Sequence, residues 1–199
     1  MFQASSPFTS WGKPSDRVIE LNYNDHTFFF LPRHGKNHTL APSEINYRAN
    51  IDAFKQLGVT DILSISSVGS LRGSLQPGTF VIVDQFIDLT KCRASTFFDN
   101  DIVVHVSMAR PTDKMLMDII DVSLNDLSID HAYGGLYVCI EGPQFSTFSE
   151  SELYRGWGCD VIGMTNMPEA KLCREASLRY ASVGMVTDFD CWHPNHENV

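Results

Sequence analysis

The 199 residues contain no GxGxxG and no GxxxxGK(S/T), so neither the dinucleotide fingerprint nor the P-loop is there to hold a phosphate. There is no GxSxG, which excludes the nucleophile elbow of an α/β-hydrolase, and no HExxH, which excludes a zincin helix. No apolar run approaches the roughly 18 residues that a membrane span requires. The opening MFQASSPFTSWGKPSD has no basic stretch followed by an apolar one, so it does not read as a secretory signal. Basic residues are few: 15 Lys and Arg stand against 24 Asp and Glu, a formal charge of −9. That balance disfavours nucleic acid and anionic membrane as partners, and any anionic ligand must be held by a local site. Cysteine is sparse and odd in number, with no CxxC: positions 92, 139, 159, 173 and 191. These are expected to be reduced packing residues of a cytoplasmic protein. Asn37-His38-Thr39 matches a glycosylation sequon, and without a secretory signal it reads as a chance match. His193-Pro-Asn-His196-Glu197 has no specific ligand spacing, so no metal is expected there.

What remains is ordinary globular composition, 43% hydrophobic and 20% charged, in a length that suits one domain, residues 1–199. The chain to about Asp16 reads as an irregular arm. Strands are expected at Thr27–Leu31, Asp61–Ile65 running into 66–70, Phe80–Val83, Val103–Val106, Leu136–Ile140, Val161–Ile162 and Ala181–Val186. Helical spacing covers Ser43–Leu57, Lys114–Leu127, Ser149–Trp157 and a segment from Pro168 to about Ala176, with Ser43 as an N-cap and Gly58 at the end of the first. Several strands are continuously apolar, as strands covered on both faces are. Alternation of strands and helices points to α/β architecture, a single domain with a central, mostly buried mixed β-sheet flanked by helices.

Ligands of open α/β sheets collect beyond the carboxyl ends of strands. Four such exits carry polar residues. Pro32-Arg33-His34-Gly35 offers a planar fork of donors, or only a solvated basic turn. Ser66-Ser67-Val68-Gly69 offers two hydroxyls and backbone N–H groups to an anion, or only a Ser/Gly turn. Glu141-Gly142-Pro143-Gln144-Phe145 offers a carboxylate for a sugar hydroxyl and a ring face for stacking, though aromatic residues after strands also fill cores. Met164-Thr165 joins Thr187-Asp188-Phe189-Asp190, where a carboxyl in a dry pocket has a raised pKa and serves as acid or donor; the same pair could cap a helix or lie in a surface turn.

Taken in order, these strings resemble the trimeric purine nucleoside phosphorylase family, and within it the members that cleave 5′-methylthioadenosine. The resemblance rests on Gly12-Lys-Pro-Ser-Asp16, Arg33-His-Gly-Lys-Asn-His38, Pro42 through Ala53, Gly69-Ser-Leu71, Gln76-Pro-Gly78 and Asp84-Gln-Phe-Ile-Asp88. It continues through Glu141-Gly-Pro-Gln-Phe-Ser146, Val161-Ile-Gly-Met-Thr165 with Pro168-Glu169, and Thr187-Asp-Phe-Asp-Cys-Trp192. It implies a phosphorylase in which orthophosphate, a co-substrate rather than a cofactor, attacks the sugar C1′ and adenine departs, leaving 5-methylthioribose 1-phosphate. It implies that Arg33, His34, Ser66 and Thr165 hold phosphate. Ser67 and Met164 would touch phosphate or the sugar hydroxyls, Phe145 would lie against the purine, and Asp188 and Asp190 would engage its N7 and 6-amino group. His105 would reach a neighbour's 5′-substituent in a homotrimer. The family's opening apolar strand with its Gly-Gly-Ser/Thr-Gly loop has no match here, nor does its C-terminal helix, so both are expected to be lacking. Phe148 stands where relatives carry Arg, and Ser66-Ser67 where they carry Thr-Ala. Two alternatives stand beside this reading: a phosphorylase of 6-oxopurine nucleosides such as methylthioinosine, and a truncated, non-catalytic nucleoside-binding paralogue.

Overall fold

The computed structural model describes residues 3–5, 7–99 and 101–194. Its strands are β1 (Gln3–Ser5), β2 (Val18–Tyr23), β3 (His26–Phe30), β4 (Asp61–Ser70), β5 (Phe80–Val83), β6 (Gln85–Asp88), β7 (His131–Tyr133), β8 (Leu136–Cys139), β9 (Val161–Gly163) and β10 (Arg179–Asp188). Its helices are α1 (Tyr47–Gln56), α2 (Lys114–Asp126), α3 (Phe148–Gly156) and α4 (Asn166–Glu175), followed by a 3-10 turn at Asp190–Trp192. The first three strands form a small antiparallel sheet. The other seven form a mixed sheet in the order β6-β8-β9-β4-β10-β5-β7. The α/β class, the mixed sheet and the flanking helices are as expected. Among the described residues, no helix is long and apolar enough to cross a membrane.

The helices start where side chains can satisfy free N–H groups. Asn46 caps α1 by accepting from Ala49 N–H, and Asp113 caps α2 by accepting from Leu116 N–H. Thr147 and Glu150 close a reciprocal capping box on α3. The cap is therefore Asn46 and not Ser43, whose hydroxyl turns away to Glu141. Gly58 does end α1, at φ +77°. In α4 the helical path is broken at Met167 (φ −118°, ψ 134°), just before Pro168.

Other expectations fail for identifiable reasons. The opening arm contains β1, and Val18–Tyr23 forms β2, a strand that half-buried polar and apolar residues conceal from periodicity. β6 and β7 were also not anticipated; they are three or four residues long and sit at the two sheet edges. Val103–Val106 is not a strand: Val103 is 78% exposed and pairs with nothing in the sheet. Nor is the sheet covered on both faces throughout. β4 alternates, with Ile62, Ser64 and Val68 buried and Leu63 and Ile65 more than half exposed. His196 and Glu197 of the sequence's His-rich end lie outside the described residues.

One local feature of the sheet creates a cavity. β10 lies parallel to β4 along nearly its whole length, from Arg179 opposite Asp61 to Asp188 opposite Gly69. β9 runs the other way and meets β4 at only two pairs, Gly69–Ile162 and Ser70–Val161. Past that contact the strands no longer pair, and the space between them is lined by Ser66, Ser67 and Val68 on one side and Gly163, Met164 and Thr165 on the other. Close packing beneath fixes the rim. A Cβ on Gly163 would sit 2.0 Å from the hydroxyl of the fully buried Tyr137.

Candidate active site

The cavity encloses about 560 Å³. Arg33, His34, Ser66, Ser67, Phe145, Met164, Thr165, Asp188 and Asp190 all line it, brought together from five separate stretches of chain. His105 does not: it is exposed on the irregular segment after β6 and takes no part in the cavity of its own chain.

The side of the cavity around Arg33 is a hydrogen-bonded relay. Arg33 Nη1 donates to Thr165 Oγ1 at 3.0 Å, and Nη2 donates to Ser64 Oγ at 2.7 Å and to the Ile65 carbonyl. The Glu169 carboxylate lies 3.4 Å from Nη1 and in turn accepts from Tyr180 Oη. Ser66 Oγ donates to Asn166 Oδ1 at 3.2 Å and lies 3.4 Å from Thr165 Oγ1. Asn166 is itself fully buried and donates to Ser182. His34 is fixed through Nδ1, 2.8 Å from the Leu40 carbonyl.

The opposite side is carboxylic. Asp188 Oδ1 accepts from Asp190 N–H at 2.8 Å and Oδ2 accepts from the Thr187 hydroxyl at 2.7 Å. Asp190 is buried at a positive φ of 51° on the 3-10 turn. Its Oδ2 makes no proper hydrogen bond among the described residues, although the Ser151 hydroxyl is close enough to favour the charged form. Burial pushes the Asp190 carboxyl above its ordinary pKa, and the Asp188 charge adds to that. Trp192 anchors the turn by donating from Nε1 to the Ser70 carbonyl at 2.7 Å, with the Arg155 guanidinium 3.7 Å above its ring. Phe145, 59% exposed, presents a ring face at the cavity's margin.

Two roles differ from the sequence reading. Glu141 does not offer its carboxylate to a ligand. Ser43 Oγ, Lys91 N–H, Cys92 N–H at 3.1 Å and Arg93 Nε at 3.2 Å occupy it. Burial alone would raise its pKa, but the bonds from Ser43, Lys91 and Cys92 outweigh that and hold it low. The second is Arg93, which no motif or spacing singled out. Its side chain is 1% exposed, and its guanidinium donates to the carbonyls of Met164, Met167 (2.6 Å) and Glu141 (2.7 Å) and to Tyr47 Oη. It ties the Glu141 turn to the Met164–Met167 turn, two walls of the cavity. A lone Arg after β6 carries no sequence pattern that would reveal this; its partners are mostly carbonyls, which every residue has.

The family model described as Phosphorylase superfamily matches residues 7–199. The S-methyl-5′-thioadenosine phosphorylase of Rhodospirillum rubrum is 59% identical over 194 residues, covering 98% of this chain and 65% of that protein. The protein of the same name from Cereibacter sphaeroides is 53% identical over 191 residues, covering 96% and 66%. The chain thus spans about two thirds of the length of the curated relatives it matches. Among solved structures, a methylthioadenosine phosphorylase from an antarctic soil metagenomic library superposes with a TM-score of 0.96 at 51% identity, covering 98% of this chain and 69% of that one. The Schistosoma mansoni methylthioadenosine phosphorylase in complex with adenine gives 0.95 at 39%, covering 99% and 75%. By the extent of the family match, and by a fold shared at this identity, the chain belongs to the phosphorylase superfamily.

Proposed function

We propose that the cavity is the phosphate and nucleoside site of a 5′-methylthioadenosine phosphorylase. The reaction breaks the C1′–N9 bond of the nucleoside, forms a C1′–O bond to orthophosphate and releases adenine, with a proton delivered to the purine. The observation that carries this reading is the polarity of one cavity: a hydroxyl and guanidinium relay (Arg33, Ser66, Thr165) on one side, and a buried acid with a raised pKa, Asp190, on the other. The transition state of glycosyl transfer is oxocarbenium-like. An anion held by the relay stabilises the developing positive charge at C1′, and a carboxyl sharing its proton with N7 stabilises the negative charge on the departing base. Asp190, whose carboxyl burial pushes above its ordinary pKa, is the group that supplies that proton; Asp188, already accepting from Asp190 N–H and the Thr187 hydroxyl, stays an acceptor for the exocyclic amine. Ser67 and Met164 fall to the sugar hydroxyls and Phe145 to the purine face. No step calls for a metal or an organic cofactor.

The relatives support the substrate. A variant of the Schistosoma mansoni enzyme is described in complex with methylthioadenosine and superposes with a TM-score of 0.94 at 39% identity, covering 99% of this chain and 76% of that one. Asp188 as an acceptor favours a 6-amino over a 6-oxo purine. The five free cysteines and the family resemblance support a cytoplasmic homotrimer in which His105 would serve a neighbouring site. The test is release of adenine from methylthioadenosine with and without phosphate. Release that depends on phosphate supports the reading; nucleoside binding without release supports the non-catalytic paralogue instead.

A further inference from the structure

Arg33 meets two kinds of partner. Ser64 Oγ, the Ile65 carbonyl and Thr165 Oγ1 accept from it and fix where the guanidinium lies. Glu169 is different. Its carboxylate stands 3.4 Å from Nη1, longer than the roughly 2.7–2.9 Å of a charge-assisted hydrogen bond, so it acts on Arg33 by charge more than by direction. Both of its oxygens face donors: Oε1 accepts from Tyr180 Oη at 3.0 Å, and Oε2 faces the guanidinium. The pair is largely withdrawn from water. The Arg33 side chain is 15% exposed and that of Glu169 11%, with Tyr180 buried beside them. Charges so placed are weakly screened. Burial works against the charge on Arg33, and the Glu169 carboxylate is the first group that offsets it. Arg33 lines the cavity, but Glu169, in the first turn of α4, is not among the described residues that do.

We propose that Glu169 is the counter-charge of the anion site. It cancels part of the field of Arg33 and so keeps phosphate affinity below what the guanidinium alone would give, without touching the ligand. The inference rests on the reading of this cavity as a phosphate site and assigns the residue that sets its affinity. Two effects of removing the charge compete. Loss of the position of Arg33 would weaken phosphate binding, and loss of a like charge near the dianion would tighten it. Three other acceptors hold the position, so the second effect wins. The nucleoside carries no net charge and is indifferent to the change. In the empty protein the same removal leaves a buried guanidinium without its charged partner, a destabilised state that a bound anion relieves. The device suits a phosphorolytic site, which must release a phosphate ester as well as take up phosphate. Both carry the same dianion, and one bound too tightly on entry would be slow to leave as product.

The test is titration calorimetry with phosphate and with methylthioadenosine, beside thermal melting with and without phosphate, on the unaltered chain, Glu169→Gln and Glu169→Asp. Gln keeps the shape and can still bond Tyr180 while it removes the charge. Asp keeps the charge and draws it back by one methylene. Glu169→Gln is expected to bind phosphate about tenfold more tightly, with methylthioadenosine affinity changed by less than about twofold. It should melt lower when empty and gain more in Tm from phosphate than the unaltered chain does. Glu169→Asp is expected to tighten phosphate by less. Unchanged or weaker phosphate binding in Glu169→Gln overturns the proposal, because Glu169 then positions Arg33 or only packs. Parallel shifts for phosphate and nucleoside also overturn it, since a general structural change moves both. If Glu169→Gln is not recovered folded, Glu169→Asp decides alone: tighter phosphate binding supports the counter-charge, and equal or weaker binding overturns it. Absence of saturable phosphate binding in all three proteins overturns the phosphate reading of the cavity, and the counter-charge with it.

Discussion

Arg33 donates to Thr165 Oγ1 at 3.0 Å, and that bond dictates what Thr165 can do. A hydroxyl that accepts from a guanidinium must send its own proton elsewhere, and the groups in front of it are Ser66 Oγ at 3.4 Å and the cavity. Most of the Arg33 fork is already committed to Ser64, Ile65 and Thr165, so in the proposed phosphate site Arg33 would act on the anion partly through Thr165.

Arg33→Lys is accordingly expected to fail in two ways at once. The ammonium cannot reach Ser64 and Thr165 together, since it is a single point on a flexible stem. Phosphate affinity should weaken by about tenfold or more, the cost of one charge-assisted hydrogen bond, while nucleoside affinity changes less. Thr165→Val should reproduce the phosphate defect with the guanidinium intact. Titrating each variant with phosphate and with nucleoside separately checks this; an unaltered phosphate affinity in Thr165→Val would remove the relay.

Arg93 is the residue whose loss should cost most outside the cavity lining. Arg93→Met keeps the length but strips the Glu141 carboxylate and three backbone carbonyls of a donor in a buried setting. Each buried carbonyl left without its donor costs about 1–3 kcal/mol, and together these losses lower Tm by on the order of 10 °C in a chain of this size. Arg93→Lys should recover part of the stability, but the Met164 wall loses its register, so KM for nucleoside should rise in a variant that still folds. Thermal melting and kinetics on the two variants separate these effects; a fully active Arg93→Lys would show the bridge to be structural alone.

The fold was legible where side-chain period and turn chemistry agree. Gly58 announces the end of its helix, and Phe80–Val83 and Ala181–Val186 are apolar enough to read as strands. It was not legible where pairing, not composition, makes the strand. β6 exists because Gln85–Asp88 finds Leu136–Cys139 as a parallel partner, and Val103–Val106, with a better strand composition, finds none. The cavity residues could be named from their strand exits, but the roles of Glu141 and Arg93 could not. Both depend on which backbone groups end up buried beside them, a property of the folded chain.

Gly163 tests the packing that sets the cavity rim. Its Cα faces the Tyr137 ring, and an added Cβ would meet Oη at 2.0 Å and Cζ at 2.7 Å. Tyr137 is fully buried and cannot swing away. Gly163→Ala should cost about 1–3 kcal/mol or more through overpacking, and should disturb Thr165, whose N–H points at Tyr137 Oη from 3.5 Å. Adding Tyr137→Phe removes the nearer clash only, so the double variant should regain part of the lost Tm and not all of it. Full additivity of the two changes in denaturant unfolding would contradict the contact.

Asp190 offers the sharpest separation of stability from activity. Its carboxyl is buried with an unpartnered oxygen, and burial raises its pKa in the fold. A carboxyl whose folded pKa lies above its unfolded value binds protons more readily when folded, so its ionisation opposes folding at neutral pH, and the opposition fades as pH falls through the folded pKa. Asp190→Asn removes that burden and should leave Tm unchanged or higher. It also removes the acid proposed for N7, a transition-state interaction worth about 2–4 kcal/mol, or roughly 10²–10³ in kcat/KM. Asp188→Asn should behave differently. It turns one of the two oxygens that accept from Thr187 and from Asp190 N–H into a donor, so the turn loses one bond and Tm falls, and it replaces the acceptor for a 6-amino group with an amide that can donate to a 6-carbonyl. The ratio of methylthioadenosine to methylthioinosine cleavage should therefore collapse in Asp188→Asn and change far less in Asp190→Asn, where both substrates lose the same N7 proton. Measuring kcat/KM for the two nucleosides beside Tm in each variant decides the matter: equal losses in both variants, with Tm falling in both, would make the pair a structural turn and not the purine site.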